Sequence, residues 1–227
     1  MSLRVRNLLA AAVAATTLGT GLAATSATAA PAPADGCADV EVIGVRGTTE
    51  APGFGNLLQP MADDIAAQSA QTVSLYALPY PATFNYLYSL NEGRAALQSR
   101  LTTESAACPG KEFVLLGYSQ GAHVIGNSFD PVGTQLPAEV TDGVRAVALF
   151  GDPSFQGDEG YNRRTYDVDQ NGIFARRAGA LAPIAGVSAA WCDAGDVVCQ
   201  AGDFGYTHGG YLRYRADAVG FALGAIG

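Results

Sequence analysis

Phe113-Val114-Leu115-Leu116 is apolar at every position and runs directly into Gly117-Tyr118-Ser119-Gln120-Gly121, after which residues 120–129 take up a helical pattern. A strand that is apolar on both sides must be covered on both sides, and helices on the two faces of a parallel sheet provide that cover. The glycine-flanked turn between strand and helix narrows the choice further, because it puts Ser119 at the carboxyl end of a central strand. One short stretch therefore indicates both the layer architecture and the place where chemistry is expected.

The rest of the chain agrees with that frame. Strand patterns at 40–45, 73–78, 113–116, 144–150 and 187–191 alternate with helical patterns at 56–70, 91–106, 120–129 and 211–223. Such alternation implies a three-layer α/β fold, a parallel sheet of five strands with helices on both faces. No internal repeat, linker or second domain is visible. The least regular part is 151–186, where Arg163, Arg164, Arg176 and Arg177 lie among several acids, and it reads as a long excursion over the surface. Residues 83–90 are aromatic, with Phe84, Tyr86 and Tyr88, and read as the rim of a crevice.

A serine lifted above the sheet becomes a nucleophile only if a base takes its proton. The chain has two histidines. His123 follows Ser119 by one helical turn, so it packs beside the helix and reads as structural. His208 lies late, just before the last helix, where the order Ser, Asp, His of strand-turn-helix nucleophiles places the base. The acid is open among three residues. Asp152 stands at the carboxyl end of the 144–150 strand, where catalytic groups gather in open parallel sheets. Asp193 and Asp196 share the short Cys192–Cys199 loop, whose later position suits the topology better, and spacing favours Asp196.

The N-terminus carries Arg4 and Arg6, then no charge until Asp35, with apolar and small residues over 8–24 and a small-x-small site at Ala27-Thr28-Ala29. This pattern predicts a secretory signal over 1–29, cleaved after Ala29, with 30–227 as one domain. Thr16, Thr17, Gly19, Thr20 and Gly21 interrupt the run and make it a weak membrane span, so no insertion is expected once the signal is removed. Secretion changes how the four cysteines read: two disulfides are expected in an oxidising compartment. Three pairings are possible. The short step from Cys192 to Cys199 suits a local staple, which leaves Cys37 to pin Cys108; a zinc site would want closer pairs and more histidines. Thirteen basic against 21 acidic residues, a net charge of −8, disfavours a nucleic-acid partner, which would need clustered Lys and Arg.

Four segments in order now carry a resemblance. Arg46-Gly47-Thr48-Thr49-Glu50 after the first strand, Gly117-Tyr118-Ser119-Gln120-Gly121, Cys192-Asp193-Ala194-Gly195-Asp196-Val197-Val198-Cys199 and His208 nine residues later resemble the cutinase family of secreted serine esterases. The resemblance covers essentially all of the expected mature chain. It implies a triad of Ser119, Asp196 and His208, disulfides 37–108 and 192–199, and an oxyanion hole from the backbone N–H groups of Thr48 and Gln120. Thr48 stands where many members carry a serine. The implied activity is hydrolysis of carboxylic esters, cutin-like or short to medium acyl, through an acyl-enzyme, by a monomer that needs no cofactor and takes a polymeric or small ester. The alternatives are deacetylation of xylan and a catalytically inactive wall-binding protein on the same fold. A competing metal pattern, Asp167-Val168-Asp169-Gln170-Asn171-Gly172, puts Asp167, Asp169 and Asn171 at the alternate positions of a calcium loop. The twelfth position is Ala178 where a bidentate Glu is required, so an Asx-rich turn without metal is the expected reading.

Overall fold

The structure, a computed structural model, describes residues 36–201 and 206–227. The signal expected at 1–29 lies outside these. In chain order the elements are β1 (Val40–Val45), α1 (Gly55–Gln68), β2 (Val73–Ala77), α2 (Tyr86–Ala107), β3 (Glu112–Tyr118), α3 (Gln120–Phe129), α4 (Ala138–Asp142), β4 (Val144–Phe150), β5 (Asn162–Arg163), β6 (Ser188–Trp191) and α5 (Arg215–Ile226). A 3₁₀ segment, Tyr206–Tyr214, leads into α5. The strands form one sheet in the order β2-β1-β3-β4-β6-β5, with every neighbouring pair parallel.

Side chains sort to the two faces with a period of two, as a pleated strand dictates. Ile43, Val45, Phe113, Leu115, Val147 and Leu149 pack on one side with Leu97 and Leu101 of α2 and Val124 and Ile125 of α3. Val40, Val42, Val114, Leu116, Ala146 and Ala148 pack on the other with Leu58, Met61 and Ile65 of α1 and Val219 and Ala222 of α5. Each Val, Leu, Ile, Met or Phe side chain among these contributes about 1.5–3 kcal/mol on burial, so the register of both clusters fixes the central strands together. The exception in β1 is Glu41, fully buried yet bonded to the Arg100 guanidinium at 2.6 Å.

The sheet has six strands rather than five, because 162–163 adds a short edge strand beside β6. That strand belongs to 151–186, which is not a surface excursion: Asp152, Ser154, Phe155, Tyr161, Arg176, Leu181 and Ile184 are buried, and Phe155, Tyr161, Leu181 and Ile184 join the α2/α3 core. Its charge misled the sequence reading because Asp152 and Arg176 neutralise each other inside the fold. Helix α2 begins at Tyr86, ahead of the expected 91. Tyr86 and Ser89 reach α3 by hydrogen bonds, and that tertiary contact draws an aromatic, rim-like stretch into helix. The last helix begins at Arg215 because 206–214 winds as 3₁₀ instead. Cys37 is bonded to Cys108 and Cys192 to Cys199. Closing a 71-residue separation stabilises by roughly 4 kcal/mol in the chain-entropy model.

The strand order has one consequence for function. From β1 the chain moves outward to β2, then crosses back to β3 on the other side of β1. The carboxyl ends of β1 and β3, paired at Val45 and Gly117, therefore flank the point where the winding reverses, the place where open α/β sheets bind ligands.

Candidate active site

Ser119 occupies that crevice. It ends β3 and precedes α3 with φ 53° and ψ −119°, a backbone conformation that costs a non-glycine residue on the order of 1–3 kcal/mol. The surroundings enforce it: the Ser119 N–H donates to Phe150 O at 2.9 Å, and its carbonyl accepts from the His123 N–H at 3.2 Å. Gly121 is equally determined. A Cβ there would lie 1.9 Å from Val45 O, so only glycine lets the first turn of α3 pass the end of β1.

His208 comes to the serine from the 3₁₀ segment. Its Nε2 is 3.0 Å from Ser119 Oγ, and its Nδ1 is 2.9 Å from Asp196 Oδ2 and 3.1 Å from Oδ1. Burial pushes the Asp196 carboxyl up, but hydrogen bonds from His208, Tyr211 and the Val198 N–H outweigh it and hold the acid below its ordinary range. An ionised Asp196 accepts from Nδ1–H, which leaves Nε2 free to accept from the serine hydroxyl. Asp196 is fully buried whereas the His208 side chain keeps 24% of its surface. The carboxylate is thus shielded while the imidazole remains reachable.

The other acids go elsewhere. Asp152 pairs with Arg176 and accepts from the N–H and hydroxyl of Ser154. Asp193 pairs with Arg213 and accepts from Tyr214. His123 is buried with Nδ1 3.0 Å from the Tyr86 hydroxyl, beside the helix as its spacing predicts.

Thr48 and Gln120 follow the adjacent ends of β1 and β3. Gln120 is the first residue of α3, so its N–H is one of those at a helix N-terminus without an intrahelical acceptor, where the helix dipole favours negative charge. Its side chain ties the crevice rim to α3, with Oε1 accepting from Ser89 and Nε2 donating to Thr83 O. The Thr48 loop is held by charge: Glu50 accepts from the N–H groups of Gly47 and Asn56, and the Arg46 guanidinium donates to Glu50 O and Tyr80 O. The Thr49 N–H donates to Ala82 O at 2.7 Å.

Three residues near the site went unnoticed in the sequence. Tyr118 stacks on the His208 ring at 5.3 Å and donates to its carbonyl at 3.0 Å; burial lifts its phenol to about 12. Gly151, at φ +55°, leaves room for the imidazole, since a Cβ would meet His208 Cε1 at 2.8 Å. Tyr211 donates to Asp196 Oδ2. Its position at i+3 from His208 was the available signal, because a 3₁₀ helix puts those two residues on one face.

The calcium-like loop uses its oxygens on backbone N–H groups. Asp167 Oδ1 accepts from the Asp169 N–H, as in an Asx turn, and Asn171 Oδ1 accepts from the Gly157 N–H fourteen residues earlier. Among the described residues no group of three His, Cys, Asp or Glu is placed to hold a metal. Nor is any helix among them long and apolar enough to cross a membrane.

A family model described as Cutinase matches residues 36–226. The chain belongs to the cutinase family. It is 34% identical over 220 residues to phospholipase Culp4 of Mycobacterium tuberculosis, covering 92% of this chain and 85% of that one. It is 38% identical over 143 residues to carboxylesterase Culp1 of the same organism, and that match spans 63% of each chain. Its fold matches the catalytic core domain of acetyl xylan esterase from Trichoderma reesei at a TM-score of 0.75 and 28% identity, covering 83% of this chain and 99% of that one.

Proposed function

We propose that this cutinase-family chain is a secreted carboxylic ester hydrolase that works through Ser119, His208 and Asp196. The observation that carries the reading is the continuous hydrogen-bonded path from Ser119 Oγ through His208 to a buried Asp196, at the reversal point of the sheet. Neutral His208 takes the serine proton as Oγ attacks the ester carbonyl. Asp196 keeps the imidazole in the required tautomer and stabilises its charged form. The N–H groups of Thr48 and Gln120 stabilise the oxyanion, His208 returns the proton to the leaving alcohol, and water releases the acyl group by the same steps. No cofactor takes part. The enzyme is one domain, residues 30–227, released by cleavage after Ala29 and acting as a monomer; two disulfides suit that compartment.

The rim favours acyl esters over acetylated xylan. Phe84, Leu87 and Tyr88 stand exposed around the start of α2, and the half-exposed Phe174 packs 5.1 Å from Tyr86. These groups present little to hydrogen-bond a sugar and much to cover an alkyl chain. Deacetylation of xylan is the second reading, favoured by the structural match to an acetyl xylan esterase.

Turnover of p-nitrophenyl butyrate beside acetylated xylan tests both. The expected outcome is turnover of the butyrate by wild type, none by Ser119→Ala, and single labelling of wild type by a serine-directed phosphonate. Full activity in Ser119→Ala would end the serine-esterase reading, and preference for xylan would exchange the two substrate classes. No turnover of either by a folded wild type would favour the inactive wall-binding protein.

A further inference from the structure

The loop closed by the Cys192–Cys199 bridge carries two carboxylates three residues apart, and only one of them meets His208. Asp193 is 2% exposed, about as deeply buried as Asp196. A carboxylate at that depth is costly unless its oxygens are bonded. Both of its oxygens are: Oδ2 pairs with the Arg213 guanidinium, and Oδ1 accepts from the Tyr214 hydroxyl and, at 3.2 Å, from Thr165 Oγ1. Its backbone N–H donates to the Tyr211 hydroxyl at 3.3 Å, and that hydroxyl donates in turn to Asp196.

The geometry of the facing segment explains the pattern. In a 3₁₀ helix residues at i and i+3 eclipse, so His208, Tyr211 and Tyr214 lie in one row along Tyr206–Tyr214. Asp196 and Asp193 face that row from the loop. Asp196 holds its beginning at His208, Asp193 holds its end at Tyr214 and Arg213, and Tyr211 bridges the two in the middle. The two grips differ in one respect. The bond at His208 changes character whenever the imidazole gains or loses a proton during a turnover, whereas the contacts at Arg213 and Tyr214 involve no group that exchanges protons with substrate.

We propose that Asp193 is a positioning residue that clamps the His208-bearing segment to the Asp196-bearing loop through Arg213 and Tyr214, so that the imidazole keeps its place through the proton transfers. The inference rests on the triad proposed above. Asp193 touches neither Ser119 nor His208 and acts only through the segment. Small misplacements of a catalytic group cost up to about a hundredfold in rate, while binding of a small ester is scarcely affected.

The test measures kcat, KM and melting temperature for Asp193→Asn and Tyr214→Phe on p-nitrophenyl butyrate, well below the melting transition of each variant. Asp193→Asn is expected to lower kcat about 10- to 100-fold with KM within about twofold. Tyr214→Phe, which removes one hydroxyl and leaves the ring, is expected to lower kcat about fivefold, the worth of one hydrogen bond. If Asp193→Asn fails to fold, Tyr214→Phe decides. A kcat within twofold of wild type in a folded variant overturns the proposal, whatever happens to the melting temperature. Ser119→Ala and Asp196→Asn serve as controls: if they are inactive while Asp193→Asn is fully active, the clamp alone falls, and if they retain activity, the triad itself falls.

Discussion

The two histidines of the chain both reach Ser119, His123 through its backbone N–H and His208 through its ring, and each is in contact with a tyrosine and near a buried aspartate, yet their surroundings differ. His208 is partly exposed, stacks on Tyr118 and connects Ser119 to Asp196. His123 is buried in α3, bonds the Tyr86 hydroxyl and packs near Phe174. Its nearby aspartate, Asp152, is committed to Arg176. Residue type therefore says little about role. What separates the two is access to a substrate and whether the neighbouring carboxylate has a cation of its own.

The sharpest way to break this comparison is to neutralise each aspartate. Asp196→Asn should reduce kcat about 10⁴-fold, because an amide no longer selects the tautomer that leaves Nε2 as acceptor, and should lower the melting temperature less than loss of Asp152 does. Asp152→Asn should do the opposite. It leaves the 4%-exposed Arg176 side chain without its countercharge and should cost about 3–5 kcal/mol of stability, with kcat within a fewfold of wild type. Denaturant titration read beside initial rates separates the two. A larger rate loss at Asp152 than at Asp196 would make the buried ion pair the catalytic element.

The same contrast marks what the sequence could reveal. Ser119 and the central sheet were legible because their signals are local: an apolar run, two flanking glycines and a following helix are contiguous. His208 was legible from its place before the last helix. The aspartate beside His208 was narrowed only to three candidates, Asp152, Asp193 and Asp196, with spacing favouring Asp196. Asp193 and Asp196 share seven residues of separation between cysteines, and which one faces the imidazole depends on how the chain turns at Gly195, φ +84°. The Asp152–Arg176 pair joins residues 24 apart inside a stretch whose composition suggested solvent. Burial of such a pair is a property of the whole fold, and spacing does not carry it. The early start of α2 was hidden for the same reason, since Tyr86 and Ser89 become helical through contacts with His123 and Gln120 rather than through their own preferences.

The smallest expected effect concerns the buried histidine and sharpens the comparison through pH. Burial is the main force on His123 and lowers its pKa from 6.5 to about 4; the negative charge of Asp152 opposes the shift and the Arg176 guanidinium adds to it. Between those values an unfolded chain takes up a proton that the folded chain refuses. Stability from the neutral, Tyr86-bonded imidazole is therefore complete above pH 6.5 and is lost as pH falls through about 4, with a total on the order of 3 kcal/mol. Asp152 is also held below its ordinary value; burial opposes that shift, and Arg176 and the Ser154 hydrogen bonds overcome it. His123 also lowers it, so the variant shifts this group too, but its stabilisation declines mainly at still lower pH and contributes little to the change in the difference between 6.5 and 4. His123→Asn removes the titrating group and keeps a polar side chain near Tyr86. The variant should be less stable than wild type at pH 7, and the gap should close as the solution is acidified from 6.5 towards 4. Urea denaturation at half-unit pH steps measures the gap directly. A gap that stays constant over this range would mean that His123 binds its proton as readily in the folded state as in the unfolded one, and the distinction between a shielded and a working histidine would then have to rest on geometry alone.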